Sequence, residues 1–505
     1  MKKFILIYIF LIFASFSFAE VSVTPYGAAG VVSGSNFLYE AADKKILIDC
    51  GIFMAGEGDN LFFPPEVLNA DALILTHAHL DHAGRTPLLL DKGFKGNIYS
   101  TPATKEIVLN LIANRSGLDL ISRRWYWSAN QAQKAKDFGN TVVIHWTDGC
   151  ASGIKNIEYS ESEMLSADIC AKENIKFVLC KDCSKIEADK IAKRFVTVEY
   201  SSPVAIFENI TFELLNAAHI PGSASVLISA ENKKVLFSGD LGSGFSRLTG
   251  TFNPPSEADV IFMESTYAND SQELNFESYE KFQKDLAKAI SKNKIVWIPA
   301  LALNRTQKIL YELNLMQKNG TLSKDVPIYS VSPSANAATN LYKKEIENKT
   351  GNWFLPEVYE NGLLPAGAKL QPVRNYDKQM VLISASGDMS LGMSAGIVNK
   401  LIPKKDVFIM IVNYVRPDSN AGRLLAGKPL QDGIKSKAEI KKYDIFSDHP
   451  GFEAVKYWLS NQSKSAGVYL IHCEKSTAQN MKTLLEKEGR TNIFIPEQGQ
   501  KIICD

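Results

Sequence analysis

One stretch limits what this chain can fold into: Leu73-Ile-Leu-Thr-His77-Ala-His79-Leu-Asp81-His82-Ala-Gly84. The apolar run 72–75 reads as a buried strand, and it ends in a turn crowded with imidazoles and one carboxylate. His77 and His79 stand two apart, so on an extended strand end both can point to the same side. Asp81 and His82 follow where the chain must bend, and can address a second point a few ångströms away. Imidazole and carboxylate suit zinc, and a catalytic zinc needs about three protein ligands and an open position. Two such clusters side by side make a two-metal hydrolytic centre, with ions roughly 3.5–4 Å apart. A polar surface turn rich in histidine is the bland alternative, and His-X-His-X-Asp-His is too constrained for it.

The chain has 505 residues and is 45% hydrophobic, enough for two packed domains. A formal net charge of +1 gives no global field toward nucleic acid or membrane, so an anionic polymer would need a local groove. The first nineteen residues read as a secretory signal peptide. Lys2 and Lys3 precede an apolar run over 4–13, and Ser17-Phe18-Ala19 places small residues at −3 and −1, before Glu20. An exported protein, periplasmic or secreted, is the expectation. Losing both lysines would take the net charge from +1 to −1. No other stretch is long enough to cross a bilayer, so no membrane association is expected after cleavage.

Export changes how seven cysteines are read. Cys150, Cys170, Cys180 and Cys183 cluster, the last two spaced Cys-X-X-Cys. Two disulfides suit an oxidising compartment, and a structural zinc knuckle is the rival. Cys50 and Cys473 lie in apolar runs and read as small core residues, and Cys504 stands alone.

Along the chain, 21–51 alternates short apolar runs with glycines, as antiparallel hairpins do, and ends in a strand tipped by Asp49. A strand at 97–100 and a helix over about 101–114 follow. The stretch from about 116 to 186 reads as an insertion. It holds Arg123-Arg124-Trp125-Tyr126-Trp127, a stacking surface or a packed helix edge, and His145, read as structural. Three further apolar strands then end in chemistry: 210–216 before His219, 234–238 before Asp240, and 259–263 before Glu264. From about 270 to 435 helices alternate with near-continuous apolar strands: helices over 276–290 and 305–318, strands at 295–298, 327–331, 380–384 and 407–412. That is a parallel, doubly wound sheet, which binds ligands at the carboxyl ends of its strands. Those ends carry Asn304-Arg305, Ser384-Ala-Ser386-Gly387 and Asn420-Ala-Gly422-Arg423. The last 65 or so residues bring Asp448-His449 before a helix, a strand at 467–471 before His472, a helix over 476–487 and a strand at 492–495.

These residues resemble the metallo-β-lactamase superfamily and, within it, the β-CASP nucleases, the group of ribonuclease J and the endonuclease that cleaves pre-mRNA 3′ ends. Asp49 matches the first motif, His77-X-His79-X-Asp81-His82 the second, His219 the third and Asp240 the fourth. Glu264, His449 and His472 match the three β-CASP motifs. Of seven histidines, six occupy these slots and only His145 does not.

The resemblance implies an αββα sandwich over 20–267 and 437–505, with the 116–186 insertion, and a doubly wound β-CASP domain at 268–436. It implies two zinc ions per chain. His77, His79 and His219 would hold one, Asp81, His82 and His472 the other, with Asp240 bridging and Asp49 orienting the site. Activated hydroxide would attack phosphorus, and His449, held by Glu264, would donate the leaving-group proton. Asp81, His449, Glu264 and Asp49 are thus the candidate catalytic residues. Arg305, Ser384, Ser386 and Arg423 are the candidate substrate-binding residues, and Arg305, Arg423 and Lys428 should line a cleft for phosphates. RNA or single-stranded nucleic acid, cut internally, is the implied substrate; the chain stops soon after its final strand, which points the same way. Nothing in the sequence speaks against a homodimer.

Three departures from the family pattern bear on the substrate. Asn304 precedes Arg305 in place of glycine, and Ser386-Gly387-Asp388-Met389 replaces Ser-Pro-Gly-Met. Asp448 stands where alanine is usual. An acidic Asp388 beside a phosphate would cost about 1 kcal/mol or more. Export is also unusual for RNA processing, so a hydrolase of a small ester or lactam on the same scaffold is the alternative. With every ligand position filled, a non-catalytic binding protein is the poorest fit.

Overall fold

The computed structural model describes residues 20–54, 57–60, 62–113, 141–144, 151–152, 176–179, 183–267, 276–430 and 432–504. The signal-peptide stretch, Arg123 to Trp127, His145, Cys150, Cys170 and Cys180 lie outside the described residues. Among the described residues no helix is long and apolar enough to cross a membrane.

Two seven-stranded sheets face each other. The first runs Ile502–Ile503, Ser22–Pro25, Phe37–Ala41, Lys44–Ile48, Ala72–Ile74, Asn97–Ser100, Phe195–Thr197. The second runs Val204–Phe207, Ile210–Asn216, Ala224–Ala230, Lys233–Phe237, Val260–Glu264, Gly467–Ile471, Ile493–Phe494. Alternation decides what meets between them. Strand Ile210–Asn216 buries Ile210, Phe212 and Leu214 and turns Thr211 outward. Phe37 of the first sheet lies 5.9 and 6.0 Å from Phe237 and Phe262 of the second, at the centre of the shared core.

Helices cover the outer faces. Pro102–Ala113 packs on Leu73, Leu75 and Ile98 through Ile107, Val108 and Leu111. Phe452–Trp458 and Lys475–Lys487 bring Val455, Trp458, Met481 and Leu485 onto Ile261, Met263, Val468 and Leu470. The result is the helix–sheet–sheet–helix sandwich expected from the sequence. The 116–186 region contributes a small three-stranded sheet: Thr141–Ile144, Lys176–Leu179 and Ala151–Ser152.

The third large sheet has six strands, all parallel: Lys369–Leu370, Ile328–Ser330, Met380–Ser384, Ile295–Pro299, Val407–Ile411, Glu439–Lys442. Its three central strands are buried along their whole length, because helices sit on both faces. Val296, Ile298 and Met410 meet Phe282, Ile309 and Leu313 on one side. Trp297, Leu382 and Ile409 meet Ile397, Val398 and Leu401 on the other. This is the doubly wound domain. It leaves the sandwich after Glu264, and the chain returns in strand Gly467–Ile471, parallel to Val260–Glu264 with Glu264 opposite Ile471. That register sets His472 one residue beyond Glu264. Helix Pro333–Asn348, which the sequence reading did not assign, joins the two bodies by packing Tyr342 and Ile346 into the cluster around Ile107.

Candidate metal centre

Register brings the strand tips together. Ile48 pairs with Ile74, so Asp49 and Thr76 emerge side by side. Phe237 pairs with Phe262, which delivers Asp240 next to Glu264. Asp49 and His472 both sit at positive φ, 63° and 55°, where each strand breaks and turns its side chain into the site. Gly51 is needed for a different reason. A Cβ there would lie 1.5 Å from the Asp81 carbonyl oxygen, so only glycine lets the two loops touch.

His77 Nε2 lies 3.1 Å from His79 Nδ1, which lies 3.0 Å from His219 Nε2. Asp240 Oδ2 approaches His77 Nε2 and His219 Nε2 at 3.6 and 3.5 Å. The other oxygen of Asp240 faces a second group, 3.1 Å from His82 Nε2 and 3.5 Å from His472 Nε2. Asp81 Oδ2 stands 3.5 Å from His472 Nε2. All seven ligand positions read from the sequence therefore meet, as two groups sharing Asp240.

The donors fit cations. Burial and neighbouring imidazoles hold His77 well below its ordinary value, and His219, pushed down mainly by burial, sits at about 3. Such rings are neutral and offer lone pairs. Among the described residues, His82 Nε2, Asp240 Oδ1 and His472 Nε2 are buried without a hydrogen-bond partner. Native interiors rarely tolerate that, and a divalent ion between them would satisfy all three.

The ring nitrogens facing outward are tied down. Asp49 accepts from Thr76 N (2.8 Å), Thr76 Oγ1 (2.9 Å) and Ser35 Oγ (2.9 Å), and meets His82 Nδ1 at 2.6 Å. His472 Nδ1 meets Thr266 Oγ1 at 2.9 Å, and that hydroxyl donates to Glu264 Oε2 at 2.7 Å. His219 Nδ1 donates to the Asp448 carbonyl at 2.5 Å, and His219 N donates to Ser223 Oγ at 2.9 Å. Sequence reasoning missed Ser35, Thr76, Ser223 and Thr266. Each is a hydroxyl within five residues of a ligand or across a strand pair from one, a signal too common to single out.

His449 Nδ1 lies 3.0 Å from Glu264 Oε1, and its Nε2 points at Asp240, 4.0 Å away. Burial disfavours its charged form, but the Glu264 carboxylate outweighs that and pushes it up to about 9. His449 Nε2 also falls within ligand range of Asp240 and His472. The Glu264 contact sets His449 apart, as a proton carrier, from the cradle of five imidazoles and two carboxylates.

The substrate-binding expectations fare differently. Arg305 does not line a cleft: it is 4% exposed, with Nε and Nη2 on Asp448 Oδ2 at 3.2 and 3.1 Å and Nη1 on the Val412 carbonyl at 2.6 Å. The reason is Asp448 itself. A carboxylate buried before His449 must be paired, and Arg305, Lys308 and Asn304 converge on it. Ser384 is likewise buried, accepting from Trp297 Nε1 at 2.9 Å and contacting Ser394 Oγ at 2.8 Å. Ser386 is partly exposed and donates to Asp388 Oδ1 at 2.8 Å. Arg423 is half-buried, with Nε on the Pro429 carbonyl at 2.8 Å, while Lys428 is exposed. Cys50, Cys473 and Cys504 are buried.

Three family descriptions match the chain: Metallo-beta-lactamase superfamily over residues 29–150, Beta-Casp domain over 306–424, and Zn-dependent metallo-hydrolase RNA specificity domain over 433–496. A ribonuclease of Thermus thermophilus is 27% identical over 493 residues, covering 93% of this chain and 96% of the relative. An RNase J-like protein of Methanocaldococcus jannaschii is 25% identical, covering 91% and 94%. Integrator complex subunit 11 of Gallus gallus is 23% identical, covering 95% and 73%. A crystal structure of a protein of unknown function from Enterococcus faecalis shares the fold, with TM-score 0.51, 13% identity, and coverage of 96% of this chain and all of that one. Matched along its length and carrying a divalent-metal cradle at its strand tips, the chain belongs to the β-CASP family of the metallo-β-lactamase superfamily and is a metal-dependent hydrolase.

Proposed function

We propose that this protein is an exported, zinc-dependent ribonuclease that cuts single-stranded RNA internally. The observation that carries the reading is the pairing of two donor groups around Asp240 with a proton carrier, His449, directed at the same carboxylate. His77, His79, His219 and Asp240 would hold one zinc, and Asp81, His82, His472 and Asp240 the other. Bound there, the two ions would supply a nucleophile at neutral pH and charge stabilisation for a phosphodiester.

The chain's own residues do the rest. Asp49 and Thr266 hold the outer nitrogens of His82 and His472, so both rings keep one orientation. Glu264 keeps His449 protonated through Nδ1, leaving Nε2 to give a proton to the departing oxygen. The ribonuclease relatives and the match to an RNA specificity domain support RNA as substrate. Internal cutting is supported by Asp388, whose carboxylate accepts from Ser386 Oγ and Ser390 N and puts a negative charge, unfavourable to a terminal phosphate, in the loop after Met380–Ser384. Export rests on the sequence of residues 1–19.

The test uses the chain from Glu20 onward, zinc-loaded. It is incubated with RNA and DNA single strands labelled at either end, and with a chromogenic lactam. Internal RNA fragments support the reading. Lactam turnover with intact RNA means small-molecule chemistry on this scaffold.

A further inference from the structure

The carboxyl edge of the six-stranded sheet borders the metal centre. The loop after Ile295–Pro299 reaches Asn304, whose Nδ2 donates to the carbonyl of His219 (3.0 Å) and to Asp448 Oδ1 (2.8 Å). Strands Met380–Ser384 and Val407–Ile411 flank Ile295–Pro299 on either side. One strand tip therefore lies beside the donor groups, with the tips of two neighbouring strands on either side of it. They are tied to one another: Asn413 Nδ2 donates to the Pro299 carbonyl at 2.7 Å, and Ala300 N to the Ser384 carbonyl at 2.9 Å. Gly387 has no room for a side chain against Asn413.

Each tip puts a large apolar residue into solvent. Leu301 is 46% exposed, Leu391 72% and Tyr414 66%. Two other exposed aromatics stack on a ring, Tyr457 on Phe252 and Phe494 on Tyr469; Phe62 and Phe245 are exposed as well. Among the described residues no ring lies against Tyr414. Arg416, two residues on, is also largely exposed, with its guanidinium 3.5 Å from Asp388. An unstacked aromatic on an edge that also exposes apolar side chains and a guanidinium suits a flat, apolar-faced group on an anionic backbone.

Resting on the nuclease reading above, we propose that Tyr414, with Leu391 and Leu301 beside it, is a stacking surface for bases of the single-stranded substrate next to the scissile phosphate. Stacking is indifferent to base identity, so this surface gives affinity for unpaired strands without sequence preference. A duplex hides its base faces and gains nothing from it.

The experiment measures steady-state cleavage of a 12-nucleotide single-stranded RNA by zinc-loaded wild type, Tyr414→Ala, Tyr414→Phe and Leu391→Ser, across a salt series. Tyr414→Ala is expected to lower kcat/KM between about 5-fold and 150-fold, chiefly through KM, with Tyr414→Phe restoring most of the loss. The slope of log kcat/KM against log salt stays that of wild type, because no phosphate contact is removed. Leu391→Ser gives a smaller loss of the same kind. If wild type cuts the RNA and Tyr414→Ala cuts it equally, or loses activity with a changed salt slope, the stacking surface is wrong. If wild type leaves RNA intact, the nuclease reading itself fails and takes this proposal with it.

Discussion

Arg305 and Asp448, 143 residues apart, form a buried ion pair that joins the inserted domain to the metal centre. Lys308 takes the other carboxylate oxygen, and Asp448 gives its own carbonyl to His219. Burial would raise the Asp448 carboxyl, but Lys308 and Arg305 hold it far below the ordinary carboxylate range. One residue thus touches a metal ligand, precedes the proton carrier and anchors the inserted domain.

Removing one partner of such a cluster leaves charges stranded in the interior. Asp448→Ala should cost about 3–5 kcal/mol, because two buried cations lose their counter-charge. Replacing Asp448, Arg305 and Lys308 together by Leu, Met and Met should recover much of that loss. Urea denaturation of the three chains checks both outcomes, and an unaffected Asp448→Ala would mean the cluster is solvated.

Asp49 is expected to act on metal affinity rather than on the chemical step. Asp49→Ala frees the His82 ring and should weaken zinc binding by roughly 10–100-fold, measured by competition with a chromophoric chelator. Thr266→Val should weaken it through His472 in the same way. Both changes spare the donors themselves.

His449→Ala should keep full metal content and lose cleavage by about 10²–10⁴-fold, since a proton donor is removed and no donor to zinc. Metal analysis and single-turnover cleavage on one preparation make the comparison. Loss of zinc in this variant would instead make His449 a ligand, as its distance to Asp240 and His472 allows.

Gly51→Ala drives a methyl into the backbone of Asp81. The loop carrying Asp81 and His82 must then move, and the second donor group opens while the core strands stay intact. We expect near-wild-type secondary structure by circular dichroism with a zinc content reduced by about one ion per chain.

Much of the site was legible because its residues stand in short local patterns. His77 to His82 occupy one turn, and Asp240, Glu264 and His472 each end an apolar strand, so periodicity and a terminal charge point to them. The central strands of the inserted domain were legible for the same reason, being apolar along their whole length. Arg305 was misplaced because its partner lies 143 residues away, and a cation after a strand end reads as solvent-facing until the buried Asp448 is seen. Helix Pro333–Asn348 was passed over because small and polar residues dominate it, and its one long apolar face, Tyr342 and Ile346, matters only against Ile107. Hydroxyls such as Thr76 and Thr266 do not stand out from other hydroxyls until register sets them beside a ring.

Metal content and RNA cleavage, measured on the same samples of the chain from Glu20 onward and of its Asp81→Ala variant, decide whether this is a two-zinc ribonuclease. Two zinc ions per wild-type chain are expected, with cleavage that a chelator abolishes and zinc restores, and one ion with no cleavage in the variant. A wild-type chain that binds no zinc, or an Asp81→Ala chain that still cuts RNA, would contradict that assignment.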